Sequence, residues 1–203
     1  MKYSFILVLL LVSGSAATAQ ETSSLDLPAR SMAQGTWDLG LFGGGGKELG
    51  YPSDTRYVYA GGRVGLILTK EHFSGWGRGN FEWAIDLMPL YTVLTPAKTT
   101  YGGSFRPAVW IWNFTSGEKV APYAAVAGGI LFSTGDLPPG DTSWVNFTPE
   151  VALGANVFLK PRSALRVEGA YVHHSNAGLG ARNPGYNAAL FLTVGYSWFR
   201  GGG

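Results

Sequence analysis

The chain has 203 residues, a formal net charge of +2, 14% charged residues, 14% aromatics, 30 glycines and no cysteine. This length fits one domain, and the absence of any Lys/Arg run argues against a nucleic-acid partner. A soluble surface usually needs about a quarter of its residues charged, and without thiols there is no disulfide framework, thiolate metal site or lipid-modified N-terminal cysteine.

Residues 1–19 read as a secretory signal peptide: Lys2, the apolar run Phe5 to Val12 and the small-residue site Ala17-Thr18-Ala19. The run is far short of the roughly 20 residues a spanning helix needs, and no longer run follows. Residues 20–35 are polar, aperiodic and interrupted by Pro28, and are expected to be a flexible lead-in.

From residue 36 to 203 the pattern changes to alternation. Eight segments, at about 36–46, 57–69, 79–93, 101–114, 119–132, 144–159, 163–176 and 187–199, are separated by turn-rich stretches. An even number of antiparallel strands can close without a free edge. In the third segment Phe81, Trp83, Ile85 and Leu87 alternate with Asn80, Glu82, Ala84 and Asp86. In the fourth, Phe105, Val109 and Ile111 oppose Ser104 and Arg106, although Trp110 and Trp112 fall on the second face. In the sixth, Val145, Phe147, Val151, Leu153 and Val157 oppose Asn146, Thr148, Glu150 and Asn156. The polar face collects Asp38, Arg63, Glu82, Asp86, Arg106, Glu150, Arg166 and Glu168.

A lipocalin-type soluble barrel would need a charged exterior that this composition does not supply. With the apolar face outward, the pattern fits an all-β, eight-stranded antiparallel transmembrane β-barrel of the outer-membrane type, its charges paired in a narrow interior. Such barrels keep both chain ends on the periplasmic side, with short turns there and longer loops outside. The connections "TSGE" (Thr115 to Glu118) and "KPRS" (Lys160 to Ser163) fit short turns, and those after the third, fifth and seventh strands are longer. "KEHFSGWGR" (Lys70 to Arg78) is a long exception. Its His72 reads as a solvated turn residue. The run Gly43 to Gly46 lacks the Gly-Lys-Ser/Thr ending of a phosphate loop and is expected to let the first strand bend.

The seventh segment carries "YVHHSNAGLGARNPGYN", Tyr171 to Asn187, with two of the three histidines. Neighbouring residues on a strand point to opposite faces, so His173 and His174 cannot share a role. Alternation puts Leu165, Val167, Tyr171, His173 and Ser175 on the lipid face. It turns Arg166, Glu168, His174 and Asn176 inward, with His174 expected to pair with Glu168. Alternate residues lie about 7 Å apart at Cα, within reach of an imidazole–hydroxyl contact. A base beside a serine hydroxyl is the arrangement of a nucleophilic esterase; the structural alternative is an interfacial histidine beside Tyr171 and a serine that begins the loop.

The stretch "HHSNAGLGARNPGYN" resembles the signature of the lipid A 3-O-deacylase (PagL) family of outer-membrane barrels. The resemblance implies an outer-membrane serine esterase acting on an ester-linked 3-hydroxyacyl chain of lipid A, with lipopolysaccharide as partner. It implies Ser175 as nucleophile, His173 as general base, and Asn176 and Asn183 as supports of the site around the oxyanion. At the position where familiar members carry the glutamate that orients the histidine, this chain has Asn187, an uncertain third member; by strand parity Asn187 points inward. The competing reading is a barrel of the same family that is weakly active or inactive and serves as a structural or adhesive surface protein. Arg182 and Lys98, in outer loops, are candidates for lipid A phosphates or for plain solvation. No metal or cofactor is implied, and a homodimer stays open.

Overall fold

The computed structural model describes residues 26–49, 54–137, 142–182 and 188–202. The signal-peptide residues, Asn183 and Asn187 lie outside these. Nine strands follow in chain order: β1 (Trp37–Glu48), β2 (Arg56–Ile67), β3 (Gly79–Leu94), β4 (Thr99–Phe114), β5 (Val120–Ser133), β6 (Val145–Phe147), β7 (Glu150–Lys160), β8 (Ser163–His173) and β9 (Ala188–Arg200). All pairings are antiparallel, and the β1–β9 and β4–β5 ladders close the sheet on itself. Both β6 and β7 pair with β5, forming one stave interrupted at Thr148 and Pro149, where proline has no N–H for the ladder. The barrel therefore has eight staves, at nearly the expected positions.

Closure satisfies the backbone polar groups within the sheet, which a lipid-embedded segment requires. The outer wall exposes Leu41, Val58, Leu87, Leu90, Leu153, Leu190 and Leu192, whereas all eight charged residues of the polar face are buried. Inside, Arg63 grips Asp86 through two bonds of 2.6 and 2.8 Å. Arg106 holds Glu150 at 2.9 Å, and Arg166 donates to Asp38 at 2.8 Å. Glu168 accepts from the Tyr123 hydroxyl at 2.8 Å and Glu82 from Asn113 at 2.9 Å. Between Arg63, Asp86, Arg106, Arg166, Tyr59 and Thr193 a void of only about 10 Å³ remains.

The structure corrects the alternation in one strand. Val109 and Ile111, read as lipid-facing, are buried inside, while Trp110 lies outside. β4 carries an extra residue around Pro107, where its register against both β3 and β5 shifts, and a bulge reverses the parity of everything beyond it. A second bulge at Pro89 and Leu90 does the same in β3. Leu153 keeps its outward place and is 71% exposed. Leu153→Arg should therefore cost about 2–4 kcal/mol if it sits near the bilayer midplane. Unfolding titrations in lipid vesicles measure this, and a neutral result would reverse the face assignment.

The end where β1 begins and β9 finishes has the short connections 115–119 and 161–162, as expected. The long exception at that end is itself organised. His72 bridges to Gly79, and the connection presents Phe73 and Trp76 outward, beside Trp112 and Phe114. These aromatics form part of an interfacial girdle. At the other end the β3–β4 connection is shorter than the sequence implied: Thr95 to Lys98 form a tight turn in which the Thr95 hydroxyl donates to the Lys98 carbonyl. The lead-in also differs from expectation. Leu27–Ser31 forms a one-turn helix, and Met32 packs against Ile67, Ala121, Phe158, Ala164 and Phe199 across the end of the bore. Burial of that apolar cluster fixes a segment that lacks periodicity of its own. Gly44 and Gly46 serve space: a Cβ at either would lie 2.7 Å from Tyr59 or Phe191, whose rings fill the upper bore.

Candidate active site on the outer wall

The His-x-Ser pair stands where β8 leaves the barrel, at the end opposite the start of β1 and the finish of β9. His173 is the last residue of β8; its N–H donates to the Pro149 carbonyl at 3.0 Å, and it opposes Ala188 across the β8–β9 ladder. Two residues on, Ser175 is tied to Phe147 by reciprocal backbone bonds of 2.7 and 3.0 Å. The broken sixth stave thus grips β8 on both sides of the histidine pair. Burial alternates through this stretch: Val172, His174 and Asn176 are buried, while Tyr171, His173 and Ser175 are partly exposed on the outer wall.

The Ser175 hydroxyl oxygen accepts from the Ala177 N–H at 3.2 Å, which leaves its own proton available to a base. Asn176 points inward, away from the wall that carries Ser175. Its side-chain oxygen accepts from the Gly178 N–H at 2.9 Å, and its amide nitrogen donates to the Arg182 carbonyl at 2.8 Å. These bonds shape the loop, with Ala177 and Gly178 at positive φ of 50° and 82°. The side chains of Arg182 and Lys98 are exposed in separate loops. Asn187 and Asn183 fall outside the described residues. The neighbour of Asn187, Ala188, is the cross-strand partner of His173.

His174 lies inside the barrel as expected, but with different partners. Its ring stacks on Tyr57 at 4.9 Å and 4°, and its Nε2 lies 3.5 Å from the Tyr91 hydroxyl. Tyr57 in turn donates to Glu48. The expected pairing with Glu168 does not occur, because six residues of extended strand, about 20 Å, separate them, and Glu168 is bound by Tyr123.

Immediately below the pair, the outer wall is indented. Val151, Leu153, Gly169, Tyr171 and Leu190 border an apolar groove of about 590 Å³. At Gly169 a Cβ would meet nothing within 4 Å, so the missing side chain opens the groove floor. The alternation places these residues on one face but does not reveal the indentation, which depends on neighbours from three strands. Among the described residues no group of three or more His, Cys, Asp or Glu is placed to hold a metal ion.

A closed eight-stave barrel with an apolar outer wall and a polar, side-chain-filled interior is a transmembrane barrel of the outer-membrane class. Solved structures with this fold include the outer-membrane enzyme PagL, 18% identical, with a TM-score of 0.52 over 78% of this chain and 98% of that one. The N-terminal β-barrel domain of Pseudomonas aeruginosa OprF is 15% identical, with a TM-score of 0.51 over 81% of this chain and 98% of that one. Neisserial surface protein A (NspA) is 13% identical, with a TM-score of 0.53 over 81% of this chain and 99% of that one. No curated protein matches the sequence. The family model for lipid A 3-O-deacylase (PagL) matches residues 63–197, and the chain belongs to that family.

Proposed function

We propose that this barrel is an outer-membrane serine esterase that removes an ester-linked 3-hydroxyacyl chain from lipid A. The observation that carries the reading is the placement of His173 and Ser175 on one outer wall, directly above an apolar groove that an acyl chain fits. Family membership supports the substrate class. In this reading His173 takes the hydroxyl proton as the Ser175 oxygen attacks the ester carbonyl. The tetrahedral intermediate collapses, and the sugar oxygen leaves with the proton from His173. Water, deprotonated by the same imidazole, then releases the acyl chain as a carboxylate and restores Ser175. Asn183 is the candidate donor to the oxyanion. Asn176 acts by holding that loop. The test is mass spectrometry of lipid A from cells expressing the wild type or Ser175→Ala: only the wild type should remove one 3-hydroxyacyl mass.

Asn187 favours a second reading, an inactive family barrel with a structural or adhesive role at the cell surface. An asparagine can orient an imidazole but does not stabilise its protonated form by charge. If Asn187 is the third member, Asn187→Glu should keep or raise esterase activity and Asn187→Ala should lower it. Wild-type rates in both variants would place the third member elsewhere. Failure of Ser175 to react with a serine-directed acyl probe would favour the inactive barrel.

A further inference from the structure

On the neighbouring part of the wall, Lys47 and Arg56 stand directly opposite each other in the β1–β2 ladder. Both are exposed and share the outward parity of Leu41 and Val58. Like charges at directly opposed positions repel, and neither makes an ion pair among the described residues. Of the nearby carboxylates, Glu48 is turned inward and engaged by Tyr57, and Asp54, two residues before Arg56, forms no ion pair with either cation. Below the two cations, the outward pairs of this ladder are Gly45 with Val58, Gly43 with Ala60 and Leu41 with Gly62. Glycine or alanine stands in each of these pairs, and the ladder leads down to an apolar trough of about 660 Å³ edged by Leu41, Leu87, Pro89 and Leu90. An unneutralised cation pair at the rim above an apolar trough matches a molecule with a phosphate at its head and acyl chains below.

Lys47 also shares a cross-strand row with Leu190 and Tyr171, the upper border of the groove beneath Ser175. Two strand spacings, about 10 Å, separate Lys47 from Tyr171 at Cα, a span that a disaccharide headgroup covers. We propose that Lys47 and Arg56 form a phosphate seat for lipid A, with a chain of the same molecule in the β1–β3 trough. The seat rests on the reading above for the end that faces the outer leaflet, and it gives that reading a headgroup contact: the substrate would lie across β8, β9, β1 and β2, its phosphate fixed while the ester meets Ser175.

Binding, read without turnover, tests the seat. The full-length Ser175→Ala protein, folded in neutral detergent micelles, is titrated with bis-phosphorylated lipid A, dephosphorylated lipid A and phosphatidylglycerol, and bound lipid is counted by native mass spectrometry. Phosphorylated lipid A should bind about tenfold or more tightly than the dephosphorylated form, as expected for loss of a charge-assisted contact. Lys47→Gln with Arg56→Gln should abolish this preference, and Arg56→Gln alone should weaken it. Lys119→Gln with Lys160→Gln, at the opposite end, should preserve it. The proposal is overturned if binding is indifferent to phosphate, if the Lys47/Arg56 double variant keeps the preference, or if phosphatidylglycerol binds equally well through the same residues. Should the wild type fail to deacylate lipid A while the phosphate preference holds, the esterase reading falls and the seat stands.

Discussion

Ser175→Ala and His173→Ala should each reduce lipid A deacylation by several powers of ten, since one removes the attacking oxygen and the other the group that takes its proton. His174→Ala should act differently, although it alters the adjacent residue. His174 is 5% exposed, stacked on Tyr57 inside the barrel, and faces away from the wall that carries Ser175. Its loss should destabilise the barrel by about 1–3 kcal/mol through lost packing and the unpaired polar groups left behind, with deacylation by the folded fraction retained. Heat-modifiable mobility establishes folding before rates are compared. Well-folded His174→Ala without activity, beside an active His173→Ala, would mean that the base has been assigned to the wrong face.

Arg63→Ala should be among the most destabilising single changes in the interior, at about 3–5 kcal/mol, because it leaves a buried carboxylate without its bidentate partner. Asp86 is fully buried, and its remaining cation, Arg106, is 3.7 Å away and already committed to Glu150. Replacing both members, Arg63→Met with Asp86→Leu, should recover most of the loss, since no charge then needs a partner. Urea unfolding in detergent compares the three proteins. A single variant as stable as the wild type would mean that water reaches Asp86 and that the bore is less filled than described.

The staves were legible because their signal is local: on β7 and β8 every outward and inward assignment follows from a period of two, and that period alone separates His173 from His174. Parity, however, presumes an unbroken count. One extra residue near Pro107 reversed Val109 and Ile111, and a proline in a strand pattern is the only sequence cue to such a bulge. The helix at Leu27–Ser31 was not legible because its order comes from side chains far along the chain, Phe158 and Phe199 among them. The partners of His174 are Tyr57 on β2, Tyr91 on β3 and the Phe191 ring on β9, so only closure of the barrel reveals them. The groove at Gly169 and the opposition of Lys47 to Arg56 likewise arise between strands. The Asn187 position was readable only by resemblance, and it lies outside the described residues, which resume at Ala188.

The filled bore has a consequence for the membrane as a barrier. Where Tyr59, Arg63, Asp86, Arg106, Arg166 and Thr193 converge, a void of about 10 Å³ has barely room for one water molecule. A continuous file of water does not fit between these side chains. At that layer the described side chains leave ions and nutrients no passage. Every exchange between this protein and its surroundings takes place at its perimeter, where lipids diffuse laterally past a solid post.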